Sequence, residues 1–266
     1  MQRVCAAERN SRFSVVERVA EILFAFSGAT EPLGVSELAR RTGLPKSTVH
    51  RLATEMAAHH LLERRGEAFE PADRLYELGA RKMPDSNLRA IALPFMADLR
   101  SATRQTVHLA VLDGAEVVYV EILRQQSAPR LPSGVGGRMP AHATAVGKAM
   151  MAFSPAADVE AVIRHGLNRI GPRTTVAPGL LRRELARIRA NGVAVEFEES
   201  APGLVCAASP ILGDDGAAVA AISISGWIGK LNPRRMAPAV QTAALSIGRE
   251  LAGGANTPAS GRSLDT

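Results

Sequence analysis

The sequence predicts an α+β protein in two units. The first is a small helical unit closed by a short hairpin, and the second is an antiparallel sheet with helices packed on it. Three observations carry the prediction. A capped run of apolar residues at helical spacing opens the chain and two short helical patterns follow it. The pattern changes character beyond Leu78-Gly79. Apolar runs, TVHLAVL and AEVVYVEIL, then flank Asp113-Gly114, the strongest short hairpin signal in the chain.

Ser14-Val15-Val16-Glu17 reads as a capping box, and Val15, Val16, Val19, Ile22, Leu23 and Phe26 continue at helical spacing, so a first helix is expected over about 14–26. Ser36 is expected to cap a second helix running through Thr42. Gly43 stands where that helix ends with positive φ, and Pro45 opens a third in its first turn. Leu61-Leu62 leads into two short strands about Gly66. Residues 85–103 form an amphipathic pattern in which Pro94 is a break or a fresh first turn. A Gly/Pro-rich loop, LPSGVGGRMP, precedes a helical pattern at HATAVGKAMMAF, and Ser154-Pro155 is expected to cap the next helix. A helix over about 178–190 ends at Asn191-Gly192. Strands follow at VAVEF, LVCAASPIL and AAVAAISISG, and residues 235–251 return to helix. The expected organisation is a mobile arm at 1–12, a first domain at 13–82, a linker helix at 83–104, a second domain at 105–251 and a mobile tail at 252–266.

Composition excludes more than it selects. The chain has 266 residues, 46% hydrophobic and 22% charged, which is ordinary for globular domains. Its net charge of +6 is not concentrated at one end, since residues 1–82 carry 13 Lys+Arg against 11 Asp+Glu and residues 83–266 carry 19 against 15. Global charge is therefore compatible with a polyanion without arguing for one. Cys5 and Cys206 lie far apart, and no Cys/His cluster has metal-ligand spacing. With no apolar signal segment and no membrane-length apolar run, this points to a reducing cytoplasm.

The stretch GLPKSTVHRL, residues 43–52, has a lysine followed by hydroxyls, but the spacing of a phosphate-binding loop is missing because Lys46 follows a proline. Gly147-Lys148 fails as well, with His142 at the first glycine position and Ala149 where magnesium needs a hydroxyl. No nucleotide or other cofactor is expected. Helix, glycine turn, second helix and glycine-centred hairpin form instead the layout of a winged helix-turn-helix. Val49, Leu52, Ala53 and Met56 share the face that must be buried. Lys46, Ser47, Thr48, His50 and Arg51 are then left for a major groove, the wing's Arg64 and Arg65 for the DNA backbone or minor groove, and Ser36 is counted among the DNA-binding residues. No catalytic residue is assigned: Ser223 and Ser225 lie in a strand pattern without a nucleophile turn. Glu196, Glu198 and Glu199 are either paired carboxylates or solvated charges at a strand end. Adjacent His59 and His60 face different directions on a helix, so no metal site is expected.

Four blocks in order, SELARRTGLPKSTVHRL, TVHLAVLDGAEVVYVE, GGRMPAHATAVGKAMMA and ELARIRANGVAVEFEESAPGLVCAASPI with AAISISG, resemble the IclR-type bacterial transcriptional regulators. The resemblance spans about residues 12–251. It implies an N-terminal winged helix-turn-helix, a linker helix, a C-terminal GAF-like effector domain, and assembly as a homodimer or dimer of dimers on a pseudo-palindromic double-stranded operator. It also implies an effector pocket at Leu131, Met139, Ala145, Val146, Glu196, Leu204, Cys206, Ser223 and Ser225. The expected effector is a small organic acid held by backbone N–H groups around Thr144 to Gly147, with Ser223 and Ser225 adding hydroxyls. Glu196 stands where many members have aspartate, Ala141 where many have leucine, and Ser209 where a smaller apolar residue is usual. The longer Glu196 would repel an anionic effector unless protonated or facing a ligand hydroxyl. The expected function is a repressor controlled by that effector. The alternative is an enzyme acting on a small acid through Cys206 or the Glu196 to Glu199 cluster, with the N-terminal helices as a dimerisation module.

Overall fold

The computed structural model describes residues 14–27, 29, 31–82, 87–125 and 134–255, and the chain divides into two units between Ser86 and Asn87. The expected N-terminal arm (1–12), most of the tail (256–266) and Leu131 lie outside the described residues.

In the first unit, α1 (Val15–Phe24) begins at a complete capping box. Ser14 Oγ accepts from Glu17 N at 3.1 Å, and the Glu17 carboxylate accepts from Ser14 N. Ser36 is not a cap. It lies inside α2 (Val35–Thr42), whose N-cap is Gly34, two residues earlier, because Leu33 and Gly34 form a two-residue strand, β1 (Leu33–Gly34). Gly43 ends α2 at φ 70°, a left-handed conformation that only glycine adopts without strain. Thr42 Oγ1 secures the turn, donating to Leu38 O at 2.8 Å and accepting from Leu44 N at 3.2 Å. Pro45 sits just outside α3 (Lys46–Ala58) as its N-cap. A three-stranded antiparallel sheet in the order β1, β3 (Ala68–Pro71), β2 (Leu62–Arg65) completes the unit. Helix α4 (Asp73–Lys82) follows, without a counterpart in the sequence reading.

The second unit is a six-stranded antiparallel sheet in the order β6-β5-β4-β9-β8-β7. Its strands are β4 (Thr106–Asp113), β5 (Glu116–Leu123), β6 (Arg138–Pro140), β7 (Ala194–Phe197), β8 (Leu204–Leu212) and β9 (Ala218–Trp227). The hairpin turn is Gly114-Ala115, one residue later than expected, with Asp113 still paired to Glu116. Period two sorts each strand's residues onto two faces. Val107, Leu109, Val205, Ala207, Ile222 and Ile224 form one core with α5 (Leu88–Thr103) and α9 (Pro233–Ala255). Pro94 neither breaks nor restarts α5 but lies within it, and α9 runs past the expected end at 251. The opposite sheet face packs against α6 (Ala145–Met151) and α8 (Pro178–Asn191). In chain order α7 (Ala156–His165) comes between them, and its N-cap is Pro155. Ser154 does not cap it, because its hydroxyl turns back to donate to Met150 O at 3.0 Å.

Helix α6 starts later than the pattern at 142 suggested, since Ala141–Ala143 form a separate 3-10 turn. The two pieces meet at Gly147, where a Cβ would lie 2.5 Å from Ala141 Cα. Gly147→Ala is expected to destabilise the second unit by about 1–3 kcal/mol, because the obstacle is backbone that cannot rotate away. Thermal unfolding checks this: an unchanged midpoint would mean that α6 need not approach Ala141 so closely.

Candidate functional site

Two places in the chain carry unsatisfied chemistry, one in each unit. On α3, Val49, Leu52, Ala53 and Met56 are buried against Ile22, Leu38 and Phe69, which fixes the helix by one stripe. The opposite face leaves Lys46, Ser47, His50 and Arg51 exposed at its N-terminal end and Thr48 half-buried. Arg51 is held loosely by Glu55 one turn on, at 3.4 Å, an exposed pair of little energetic weight. Arg65 is paired to Glu70 and Glu63, and Arg64 donates to Gly66 O at 2.9 Å, so the wing cations are partly neutralised in place. Ser36 is exposed on α2. On the same helix Glu37 accepts from both Arg40 and Arg41, and these hydrogen bonds pull its carboxyl down to about 2. Arg41 also donates to Ala25 O at 2.9 Å, tying α2 to the end of α1. The sequence reading passed over this clamp, although Glu37 with arginines three and four residues on is the spacing that finds it.

In the second unit a small cavity of about 20 Å³ lies between the start of α6 and the sheet. It is lined by His108, Tyr119, Met139, Thr144, Ala145, Val146, Glu196, Ser200, Leu204, Cys206 and Ser223. Seven expected ligand residues therefore come together. Ser225 does not line the cavity; it lies one row beyond it, paired in register with Thr106 and Cys206, with its buried Oγ lacking a hydrogen-bond partner. Ser209 faces the other side of the sheet and donates to Gly192 O at 2.9 Å. His108, Tyr119, Thr144 and Ser200 were missed. Alternation along β4 could have found His108, since it places that residue opposite Ser223 on the same face.

The arrangement expected for a ligand carboxylate is already filled from within. Glu196, 1% exposed, accepts from Ala145 N at 3.2 Å through Oε2, and from Ser200 N at 2.8 Å and Ser200 Oγ through Oε1. Gly147 N is taken as well, donating to Thr144 Oγ1 at 3.1 Å. Burial pushes the Glu196 carboxyl up, against the Ser200 hydrogen bonds and the Lys148 charge. The same burial, with Glu196 beside it, pushes the Cys206 thiol well above its ordinary value, the opposite of what a nucleophilic cysteine needs. Glu196 and Glu199 are thus buried, not solvated at a strand end, while Glu198 pairs with Arg173 at 3.5 Å.

Behind the cavity wall, Lys148 is fully buried on α6 and donates to Glu184 of α8 at 2.7 Å and to Glu199. Burial alone would push its ammonium down, but the two carboxylates outweigh that and hold it above the ordinary lysine value. No group of His, Cys, Asp and Glu among the described residues could hold a metal ion, and none of the described helices is long and apolar enough to cross a membrane.

A winged helix-turn-helix followed by a second unit with a small cavity between helix and sheet defines the class of two-domain DNA-binding regulators. Residues 15–66 match the IclR helix-turn-helix domain, and residues 81–249 match the C-terminal domain of the bacterial transcriptional regulator IclR. The chain belongs to the IclR family of transcriptional regulators. It is 30% identical over 242 residues to the HTH-type transcriptional regulator XynR of Escherichia coli K12, covering 89% of this chain and 96% of that protein. To the transcriptional repressor IclR of the same organism it is 31% identical over 238 residues, covering 88% and 87%. Among solved structures it is similar to an IclR homolog from Microbacterium hydrocarbonoxydans complexed with 4-hydroxybenzoate (TM-score 0.76, 30% identity, 90% of this chain and 99% of that one). The Thermotoga maritima IclR is similar as well (TM-score 0.71, 28% identity, 89% and 98%).

Lys148→Met removes the cation that Glu184 and Glu199 share and leaves both carboxylates without it. A loss of about 3–5 kcal/mol in unfolding free energy is expected, measurable by chemical denaturation at neutral pH. A loss below about 1 kcal/mol would show that the triad does not hold α6 to α8.

Proposed function

We propose that the chain is a cytoplasmic repressor that binds a pseudo-palindromic operator as a homodimer or dimer of dimers and releases it when a small organic acid enters the cavity beside α6. The observation that carries the DNA-binding part is the division of α3, one stripe buried against α1 and α2 and the other presenting Lys46, Ser47, His50 and Arg51. In such a frame Lys46 and Ser47 meet phosphates or base edges, Thr48 a phosphate or a thymine methyl, and Arg51 a guanine. Ser36 and Arg65 add backbone contacts. A two-fold dimer sets half-sites about one helical turn apart or a multiple of it.

The effector part is supported by the cavity and by the similar IclR homolog from Microbacterium hydrocarbonoxydans, whose structure holds 4-hydroxybenzoate. The cavity as it stands has room for about one water, so an acid enters only as α6 and the sheet separate. That coupling is the basis for control, because an effector shifts DNA binding only by binding the two states unequally. Of the expected residues, Met139, Val146 and Leu204 supply apolar wall and Ser223 a hydroxyl. The enzymatic alternative finds no support in a cysteine pushed away from its thiolate.

Arg51→Ala is expected to weaken operator binding by about 1–3 kcal/mol at fixed salt. A gel-shift titration reads this directly, and an affinity equal to wild type would remove Arg51 from the recognition set. Ser223→Ala should raise the acid concentration needed for operator release by more than it changes operator affinity. Equal losses in the two measurements would mark a folding defect instead.

A further inference from the structure

Strand β7 stands at one end of the six-stranded sheet and, among the described residues, pairs only with β8. Glu196 lies opposite Cys206, and two residues on Glu198 N donates to Leu204 O at 2.7 Å in the same register. Antiparallel pairing alternates, so Val195 and Phe197 turn their backbone N–H and C=O groups away from β8, and no described residue pairs with those groups. Such an edge is a template for another strand unless lysine or proline on the strand blunts it or other chain covers it. Residues 194–197 include neither lysine nor proline, and Glu196 is turned into the cavity. Val195 and Phe197 instead line an open groove of about 460 Å³ with Arg173, Arg187 and Arg234. Past the end of the strand, Phe197 and Arg234 continue into a second stretch of about 500 Å³ with the exposed Ile228 and Lys230. Arg187, Lys230 and Arg234 are exposed and have no ion pair among the described residues, and Arg173 meets Glu198 only at 3.5 Å. The two carboxylates that line the groove, Glu184 and Glu199, share the buried Lys148.

The groove therefore combines three features: free strand backbone, half-buried apolar side chains along it, and a rim of cations supplied by neighbouring elements. We propose that it docks an acidic, extended segment of a partner protein, which adds a strand to the open edge of β7. Backbone hydrogen bonds to Val195 and Phe197 set the register, apolar side chains of the segment cover Phe197 and Ile228, and its carboxylates meet Arg187, Lys230 and Arg234. Charge decides among occupants. A second copy of this chain docked about a two-fold axis would set the same cations against one another. Duplex DNA is drawn by the same charge, but its phosphates leave the strand's backbone groups and the apolar surface unmatched. An acidic strand satisfies all three features. The surface is separate from both α3 and the effector cavity, so the segment would bind as a third partner beside operator and acid.

Fluorescence anisotropy of the full chain with a short labelled peptide of alternating glutamate and valine, at physiological salt, tests the proposal. Saturable binding is expected, weakened about 10-fold or more by Arg187→Glu combined with Arg234→Glu, two exposed positions. Hydrogen–deuterium exchange of the wild type over residues 193–198 should slow when the peptide binds, and this readout stands even if the double variant fails to fold. No saturable binding, binding that a folded double variant leaves unchanged, or exchange over 193–198 that the peptide does not slow each overturns the proposal. Equal binding of a peptide with proline in place of every valine also overturns it, because only charge is then being read. Exchange over 193–198 that is already slow in the free chain and quickens on dilution would assign the edge to a second copy. A labelled random duplex weakened by the double variant while the peptide is not would assign the groove to nucleic acid. Either assignment overturns the acidic-segment proposal.

Discussion

The start of α6 is where the second unit's constraints meet, and the Glu196 carboxylate is the interaction that holds it. A glutamate on the inner face of β7 crosses to Ala145 N on α6 and binds Ser200 in the turn that follows its own strand. Strand, turn and helix start are thereby tied through one buried carboxylate. Gly147 lets α6 lie against Ala141, and Lys148, next along the helix, anchors the far side through Glu184 and Glu199. A helix of seven residues has little stability of its own. Its position depends on these contacts.

The N-terminal unit solves a different problem. It must present polar residues to a partner while burying enough to stay folded, and it does so with one stripe per helix. Ile22, Leu38, Val49, Leu52 and Phe69 come from three helices and the wing and pack as one cluster. Capping box, left-handed Gly43 and the Glu37 clamp on Arg40 and Arg41 fix the ends and the angle between helices, leaving the α3 N-terminal residues free of structural duty. Glu37's lowered carboxyl stabilises this unit above its ordinary titration range, and the contribution fades as pH falls toward 2.

Much of this was legible in the residues. Local rules sufficed where local chemistry decides: the capping box at Ser14, the helix stop at Gly43, the buried stripe on α3, and Ser223 and Ser225 on one sheet face. Ser36 was misread because a cap depends on where the preceding chain goes, and Leu33-Gly34 pairs with β3, moving the cap to Gly34 and the helix start to Val35. Helix α4 and strand β6 were not anticipated, the latter because three residues beside a Gly-rich loop show no periodicity. In the cavity, family resemblance brought seven residues together, but the role of Glu196 was out of reach. Sequence spacing cannot tell whether a helix start awaits a ligand's carboxylate or already holds one from 51 residues away. Lys148 was considered only for phosphate and dismissed, since its two carboxylates come from distant segments.

The most direct test of the account is a nuclease footprint of the full chain on the DNA flanking its own gene, at physiological salt. The account predicts one protected region containing two inverted half-sites, their centres about one helical turn apart or a multiple of it. Uniform protection that disappears with modest salt, or none at all, would contradict it.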